Sequence, residues 1–429
     1  MKVLSLFDGM ACGMIAMKNA DVEVESYDAY EIDPYAIKVS SHNFPDIKHH
    51  GDVFEADFTQ YEGVDYLIGG SPCTYWSIAQ KNNRETEASG MGWELFTQYV
   101  RALKEAKPKF FIYENNKSMS AAIRESIDRA FGFEAVCINS ALVSAQNRQR
   151  LYWVGMRNTD GTYSKVTVGQ PEDKGVLLKD VLDNAVTWLD KSFAYTTRCQ
   201  GAALKDTLLK HRHTMVAEPV CVAQRGRYED GKVVQHFEAR EDGKTNVLTT
   251  VSKDNNVCEP VRIGCYPSPD GTIKNSQGMR LYSIDGKSVN LTAQGGGLGA
   301  KTGLYEFEVP MFADPVERDE NGNPTKAISH ADGKTHPVYR VLNGEIHING
   351  DSYPIKLADG YYIIRKLTVT ESKRLQTVPE WYDFSVISNS QAYKCLGNGW
   401  TCDVITHLIK ATLAATRRKW LFDLLGDCS

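Results

Sequence analysis

Apolar, strand-like runs alternate with helical patterns over residues 1–157, and this alternation restricts the possible folds more than any other feature. The runs KVLSLFD, EVESYDAYEID, DYLIGG and KFFIYEN are followed by segments with helical spacing at 11–19, 34–42, 94–106 and 119–131. FEAVCINSALV and RLYWVGM predict two more strands. Such alternation builds a mostly parallel sheet with helices on both faces. We therefore predict an α/β, Rossmann-like domain with a mixed, mostly parallel sheet.

The character of the sequence changes between residues 158 and 363. Asp-Gly or Asn-Gly pairs, which favour tight hairpins, begin there at positions 230, 242, 270, 285, 321, 332, 343, 349 and 359. The runs between them are short and rich in Val, Thr and Tyr, so we predict an all-β insert. Helical patterns return with LTVTESKRLQTVP and a long final helix over 403–425. We expect 1–157 and 364–429 to form one domain that 158–363 interrupts.

The overall charge limits how the chain could bind a polyanion. A formal net charge of −5 does not predict a nucleic-acid partner, so any such site must be a local basic patch. The ten cysteines include no CxxC pair, which predicts reduced thiols, a cytoplasmic location and no metal site. Neither a signal peptide nor an apolar run near the roughly 20 residues of a membrane span is visible in the sequence.

The segment LSLFDGMACG ends a predicted strand at a glycine-containing turn, where backbone N–H groups can approach a ligand. Its spacing departs from Gly-x-Gly-x-x-Gly, which argues against a dinucleotide pyrophosphate. Further along, Glu31 can accept hydrogen bonds from ribose hydroxyls, and Asp52 can accept one from an adenine amino group. Each carboxylate alone could instead be a loop residue or a helix cap. Together they predict a nucleoside pocket that fits S-adenosylmethionine.

Cys73 lies at the tip of GGSPCTYWS, directly after a predicted buried strand. Pro72 restricts the backbone before it, and open α/β sheets bind ligands at this edge, so the thiol is placed to react. Glu114 ends the next strand at the same edge, and Arg148 and Arg150 share a face as another strand begins. The alternatives are a buried, unreactive cysteine, a helix-capping glutamate and a surface pair of arginines.

These segments belong to a longer series of motifs. The chain also carries YEID, GDV, GMGWELFTQYVRALKEAKPKFFIYENN, QNRQRLYWVG, RKLTVTESKRLQ and QAYKCLGNGW. In these motifs, which cover about half of the chain, the sequence resembles the DNA (cytosine-5)-methyltransferases of the microbial or phage type. The chain departs from the family pattern at Asn116, where valine is usual, at Thr74, where glutamine is usual, and at Ala11 and Cys12, where many members have glycines.

The resemblance implies an S-adenosylmethionine-dependent methyltransferase fold and a role for each site residue. Cys73 would attack carbon 6 of cytosine, and Glu114 would hold the ring at N3 and its amino edge. Arg150, supported by Arg148, would contact the cytosine O2. The residues that would bind S-adenosylmethionine are Phe7, Asp8, Gly9, Glu31, Asp52, Leu95 and Asn398. The cytosine would have to flip out of the helix stack to reach Cys73.

The middle zone, 158–363, corresponds to the family's target-recognition domain. It contains a run from 198 to 227 in which basic residues outnumber acidic ones, namely Arg198, Lys205, Lys210, Arg212, Arg225 and Arg227. Such a surface could neutralise DNA phosphates despite the acidic total, and the alternative is a solvated charged face.

The sequence therefore predicts a DNA cytosine-5 methyltransferase that acts on double-stranded DNA as a monomer. It would work beside a cognate restriction endonuclease, in a restriction–modification system, or as an orphan enzyme. One alternative is an RNA (tRNA) cytosine methyltransferase on the same scaffold, which the large insert disfavours. Another is a catalytically lapsed DNA-binding protein, which the presence of Cys73, Glu114 and Arg150 disfavours.

Overall fold

The computed structural model divides the chain into two compact units. The first unit comprises Met1–Val181, Lys191–Gly201 and Val369–Ser429, and the second comprises Leu182–Asp190 and Ala202–Thr368. The residues that the structure describes are 1–77, 84–183, 185, 187, 189, 191–193, 204–210, 214–219, 223–229, 232–238, 262–265, 280–282, 304–305, 313–321, 323–329, 331–348, 350–357 and 359–425.

The first unit is built on an eight-stranded sheet. Its strands are β1 (Lys2–Leu6), β2 (Ser26–Tyr30), β3 (Lys48–His49), β4 (Tyr66–Gly69), β5 (Phe110–Asn116), β6 (Val136–Asn139), β7 (Gln149–Arg157) and β8 (Tyr163–Lys165). The order across the sheet is β3-β2-β1-β4-β5-β7-β6, and β8 pairs with β7. β1 to β5 run parallel, whereas β7 is antiparallel to its partners. The predicted mixed, mostly parallel sheet is confirmed.

The predicted helices of this unit are present. Its helices are α1 (Cys12–Asn19), α2 (Pro34–Asn43), α3 (Gly90–Ala106), α4 (Ala121–Phe131), α6 (Val369–Leu375), α7 (Asn389–Asn398) and α8 (Cys402–Leu425), while α5 (Leu204–Lys210) belongs to the second unit. α3 begins earlier than predicted, and α7 was not predicted. Its start is marked by Ser388, whose hydroxyl accepts a hydrogen bond from the backbone N–H of Gln391.

Different helices cover the two faces of the sheet, because successive residues of a strand point to opposite sides. In β4, Tyr66 and Ile68 join one apolar cluster, while Leu67 joins the other. The first cluster includes residues of α1 and α8, and the second includes residues of α3 and α4. Helices on both faces of the sheet are therefore confirmed.

The strand order reverses between β1 and β4, which places a crevice at their carboxyl ends. The two strands approach so closely that a Cβ added to Gly69 would lie 2.6 Å from the carbonyl oxygen of Leu6. The turn that carries Asp8 follows β1, and the turn that carries Cys73 follows β4. The two turns therefore leave the sheet from neighbouring strands.

The chain stays with the first unit beyond residue 157. β8 pairs with β7, and the backbone N–H of Val166 then donates to the carbonyl oxygen of Val154 at 2.9 Å. The first unit consequently runs to Val181 before the chain enters the second unit.

The second unit is rich in strands. They are β9 (Met215–Pro219), β10 (Ala223–Glu229), β11 (Lys232–Glu238), β12 (Arg262–Cys265), β13 (Arg280–Tyr282), β14 (Leu304–Tyr305), β15 (Asp314–Arg318), β16 (Pro324–Ile328), β17 (Thr335–Leu342), β18 (Glu345–Ile348), β19 (Asp351–Pro354) and β20 (Gly360–Lys366). β15 to β19 lie side by side in chain order, and β20 pairs with β17 and β9. Among the described residues of both units, no helix has the length and apolar character needed to cross a bilayer.

The hairpins predicted at positions 321, 332 and 343 are confirmed, since each joins two paired antiparallel strands. Positions 230 and 349 lie outside the described residues, and the strands that flank them, β10 with β11 and β18 with β19, pair antiparallel. Asn343 and Gly344 have φ angles of 54° and 74°, as a type I′ turn requires. The prediction at 359 is wrong, because β20 pairs with β17 and β9 rather than with β19. The pairs at 242, 270 and 285 lie outside the described residues.

The expectation of an all-β insert is wrong at α5. Leu204 and Leu208, one helical turn apart, pack against the apolar cluster that contains Met215 and Ile346. This i, i+4 spacing gives the segment an apolar face that a helix, but not a strand, can bury.

We expect Gly155→Ala to lower the free energy of unfolding by about 1–3 kcal/mol, because the new methyl group would overpack the sheet. An added Cβ there would overlap the ring of Phe111, which is fully buried. Gly169→Ala is the control, since nothing lies within 4 Å of its added Cβ. Equal denaturant midpoints for the two variants would contradict this account of the core.

Candidate active site

The turn that carries Cys73 follows β4, as predicted. Pro72 has a φ of −50°, and Cys73 opens a short 3-10 helix, Cys73–Tyr75. The backbone N–H groups of Trp76 and Ser77 both donate to the carbonyl oxygen of Cys73, at 3.1 and 3.0 Å. The Cys73 residue is partly exposed.

Two side chains at the end of β5 hold this turn. Asn115 Nδ2 donates to the carbonyl oxygen of Ser71 at 3.1 Å, and Asn116 Nδ2 donates to that of Cys73 at 3.3 Å. Both asparagines are buried. Asn116, where the family pattern has valine, therefore contacts the backbone of the candidate nucleophile.

A third side chain fastens the far side of the turn. Arg84 Nε donates to the carbonyl oxygen of Trp76 at 3.2 Å, and its Nη2 donates to that of Ser118 at 2.7 Å. Because Ser118 follows β5, Arg84 ties the Cys73 turn to the same strand end that the two asparagines use.

Glu114 is buried near the carboxyl end of β5 and is held through both carboxylate oxygens. Oε1 lies 3.0 Å from Nε of Arg150, and Oε2 accepts a hydrogen bond from the indole Nε1 of Trp400 at 3.0 Å. The register of β5 and β7 places Arg150 opposite Asn116. Gly70 leaves room for the carboxylate, because an added Cβ there would lie 2.9 Å from Oε2.

Arg148 is buried beside this group and faces a different partner. Its Nη1 donates to the carbonyl oxygen of Gly397 at 3.4 Å, and its Nη2 donates to that of Gly399 at 3.0 Å. Burial and the neighbouring charge of Arg150 lower the pKa of Arg148 to about 10, against the opposing effects of Glu114 and Cys73. The guanidinium remains charged at neutral pH. The structure thus brings both predicted arginines to the site, where they hold different groups.

Three of the predicted donor-binding residues meet at the crevice. Asp8 Oδ1 accepts hydrogen bonds from the hydroxyls of Ser5 and Tyr27, each at 2.6 Å, while its Oδ2 is buried without a hydrogen-bond partner. Burial, opposed by these hydrogen bonds, raises the pKa of Asp8 to about 6. The backbone N–H of Gly9 donates to Oε2 of Glu31 at 2.8 Å.

The turn after β1 has a constrained backbone. Phe7 and Gly9 have φ angles of 58° and 62°, and Ala11, directly before α1, has 61°. Phe7 and Ala11 therefore occupy the left-handed region, which side chains with a Cβ rarely adopt. In this conformation the backbone N–H of Gly9, which follows β1, donates to Glu31, which follows β2. The hydrogen bond joins the ends of the two strands at the crevice.

The other predicted donor-binding residues occupy separate elements. Asp52 caps a short 3-10 helix by accepting from the backbone N–H of Phe54 at 3.0 Å. Leu95 is partly buried on α3, and Asn398 is the exposed last residue of α7. The segment after Asn398 packs against the start of α1, since an added Cβ at Gly399 would lie 3.1 Å from Sγ of Cys12.

Four of the six predicted DNA-binding residues belong to described elements of the second unit. Arg198 and Arg212 lie outside the described residues. Lys205 and Lys210 belong to α5, and Arg225 and Arg227 belong to β10. Their role in DNA binding stays a prediction.

Sequence reasoning missed Trp400 and Arg84 at this site. Trp400 is the last residue of QAYKCLGNGW, one of the motifs that carry the family resemblance, so the sequence did indicate this segment. The contact itself joins residues that are far apart in the chain, and no local spacing signals it.

Residues 1–414 match the family described as C-5 cytosine-specific DNA methylase. The orphan methyltransferase M.SPRI of Bacillus phage SPR is 27% identical, over 96% of this chain and 97% of that protein. The type II methyltransferase M1.ScrFI of Lactococcus lactis subsp. cremoris is 30% identical, over 44% of this chain and 51% of that protein. The crystal structure of the S. pombe Dnmt2 methyltransferase has a TM-score of 0.45 and 15% identity, and covers 97% of this chain and 99% of that chain.

The family match includes every strand and turn from which the site is built, and it extends through the second unit into α8. The partly exposed cysteine after β4, the buried glutamate on β5 and the two arginines at the start of β7 all lie within it. This chain belongs to the C-5 cytosine-specific DNA methylase family, whose members methylate cytosine in DNA at carbon 5.

Proposed function

We propose that this protein transfers a methyl group from S-adenosylmethionine to carbon 5 of a cytosine in a specific DNA sequence, through a transient covalent bond between Cys73 and carbon 6. One observation carries the proposal. Cys73 and the Glu114–Arg150 ion pair lie at the carboxyl ends of the neighbouring strands β4 and β5. A nucleophile, an acid–base group and a cationic donor are thereby brought to one edge of the sheet.

The covalent step answers a difficulty of the substrate, because carbon 5 of an aromatic cytosine is a poor nucleophile. When Cys73 Sγ bonds to carbon 6 as a thiolate, the electron pair of the 5,6 double bond becomes available at carbon 5. Glu114 would hold N3 and supply its proton as this bond forms. After carbon 5 is methylated, its proton is lost to water, Cys73 leaves as a thiolate, and N3 returns its proton to Glu114, which restores the aromatic ring.

The two arginines would assist in different ways. Arg150, whose Nε contacts Glu114, would use its remaining N–H groups on the cytosine O2. Arg148 is held by the carbonyl oxygens of Gly397 and Gly399 and would support Arg150.

Carbon 6 of a stacked cytosine cannot meet a sulfur that lies on a turn at the edge of a sheet. We therefore infer that the target base leaves the DNA helix and enters the site. The second unit would serve as the target-recognition domain, and α5 and β10 carry basic residues that would contact phosphates. We expect a monomer, because one chain contains all the groups that the reaction uses.

The crevice between β1 and β4 fits S-adenosylmethionine, which supplies a methyl group on a positively charged sulfur when it is bound. The described acceptors there are carboxylates, and Asp8 Oδ2 is buried and still lacks a donor. Glu31 is fixed by the N–H groups of Gly9, Ile32 and Asp33, each at 2.8 Å, and retains lone pairs for ribose hydroxyls. Asp52 would accept from the adenine amino group.

The remaining residues of this pocket would be Phe7, Gly9, Leu95 and Asn398. Negative charge at Asp8 and Glu31 suits a cationic donor and would repel a pyrophosphate. Burial raises the pKa of Asp8 only to about 6, so that its carboxylate is mostly ionised at neutral pH.

The names of two relatives indicate where this protein would act. M.SPRI of Bacillus phage SPR is named an orphan methyltransferase, and M1.ScrFI of Lactococcus lactis is named a type II methyltransferase. We propose that this protein acts on DNA in the cytoplasm of a bacterium or a phage-infected host. A cognate endonuclease would accompany this protein only if it works as a type II methyltransferase, and not if it is an orphan enzyme.

We expect Cys73→Ala to abolish methyl transfer to DNA while the dissociation constant for S-adenosylmethionine stays within about threefold of wild type. Alanine offers no nucleophile, and the crevice after β1 is untouched. Filter binding of radiolabelled methyl groups and titration calorimetry measure the two quantities. Cys137→Ala, which removes a partly buried thiol from β6, is the control. Residual transfer by Cys73→Ala would disprove the proposed nucleophile.

We expect Glu31→Gln to weaken binding of S-adenosylmethionine about tenfold or more, because its amide –NH₂ would face a backbone N–H and one charge-assisted hydrogen bond is lost. Calorimetry provides the measurement. The control is Glu25→Gln, whose exposed carboxylate lies 3.6 Å from Nζ of Lys2. Equal affinities for the two variants would remove Glu31 from the donor pocket.

The nucleic-acid substrate is tested directly with equal concentrations of duplex DNA of random sequence and a tRNA pool. We expect methyl transfer to the duplex, because a large second unit is suited to reading a sequence within a helix. Bisulfite sequencing of DNA from cells that express the protein then identifies the methylated cytosine and its context. Transfer to tRNA alone would overturn the choice of DNA.

A further inference from the structure

We infer that Trp400 is a positioning residue for the reaction, whose indole N–H fixes the carboxylate plane of Glu114. The inference rests on the proposed function, because it assigns Trp400 a role in presenting Glu114 to cytosine. It is drawn from a single contact, 3.0 Å between Nε1 of Trp400 and Oε2 of Glu114, and from the surroundings of that contact.

A glutamate needs two fixed points to hold its carboxylate in one plane. The last side-chain torsion of glutamate joins an sp³ to an sp² carbon, and its energy profile is broad. Arg150 contacts Oε1 at 3.0 Å, and a single contact of this kind restrains the plane of the carboxylate only weakly, because a hydrogen bond tolerates a range of angles. The hydrogen bond from Trp400 to Oε2 removes that freedom. The unused lone pairs then point in defined directions, as recognition of N3 and the amino edge requires.

The chemistry of the indole suits this task. Its N–H is only a donor, carries no charge and does not titrate in the accessible pH range. A lysine at the same place would add a full positive charge to the carboxylate, and a histidine would exchange protons with it. Trp400 therefore orients Glu114 without taking part in the proton transfer.

The indole is itself held in place. Trp400 packs against the apolar cluster that contains residues of α1 and α8. The carbonyl oxygen of the preceding Gly399 accepts from Arg148 at 3.0 Å, and the hydroxyl of the following Thr401 donates to Gln376 at 3.0 Å. One short segment between α7 and α8 thus fixes both Arg148 and Glu114.

The opposite side of the contact is also shaped for it. An added Cβ at Gly70 would lie 2.9 Å from Oε2 of Glu114 and 3.4 Å from Nε1 of Trp400. Any side chain at position 70 would therefore press on the carboxylate oxygen that Trp400 holds.

The test compares Trp400→Phe with Trp153→Phe. Both changes remove an indole N–H that donates to a carboxylate, because Nε1 of Trp153 donates to Asp128 at 2.7 Å, in the apolar cluster of α3 and α4. We expect Trp400→Phe to lower kcat for DNA methylation about 10- to 100-fold, as the loss of a hydrogen bond to a charged group predicts. The KM values for donor and DNA should stay within about threefold. Trp153→Phe should keep the wild-type kcat.

Thermal unfolding of both variants separates positioning from folding. A lower kcat for Trp400→Phe at a melting temperature no lower than that of Trp153→Phe supports the inference. Equal kcat values for the two variants overturn it. Should Trp400→Phe fail to fold, Gly70→Ala tests the same contact from the other side, and a wild-type kcat for Gly70→Ala would overturn the inference as well. An inactive wild-type protein would instead refute the proposed function.

Discussion

The close approach of β1 and β4, where the strand order reverses, is the constraint on which the rest of the site depends. Only a residue without a Cβ fits at Gly69, because an added carbon would lie 2.6 Å from the carbonyl oxygen of Leu6. The turns after these two strands therefore begin side by side. One carries Asp8 and the other carries Cys73, so the proposed donor pocket and the proposed nucleophile follow from a single feature of the sheet.

The next strands add charge to this edge of the sheet. Glu114 on β5 lies between Arg150 and Trp400, while Arg148 reaches the carbonyl oxygens before Trp400. Buried charges are tolerated when each has a partner, and every charged group named here has one. The same partners restrict the side chains, so the site is organised before a substrate binds. Such preorganisation is the main way in which enzymes stabilise developing charge.

The sequence predicted the sheet, the covering helices and the strand ends that carry the site, since each is signalled by local periodicity and turn residues. Helix α5 was missed because its apolar face, Leu204 and Leu208, spans little more than one turn. Trp400 could not be predicted, because its contact with Glu114 depends on how the segment after α7 returns to β5. The sequence showed that Asn116 replaces the usual valine, but it did not show that the Asn116 side chain donates to the carbonyl oxygen of Cys73.

The bond between Cys73 and the target base is the central claim, and it can be located directly. In a duplex with 5-fluorocytosine at the methylated position, carbon 5 has no proton to lose, so the covalent complex should persist. Digestion of that complex and mass spectrometry identify the modified residue. The account predicts one nucleotide attached to Cys73. A nucleotide on another cysteine, or methylation of ordinary duplex without any covalent complex on the fluorinated one, would contradict it.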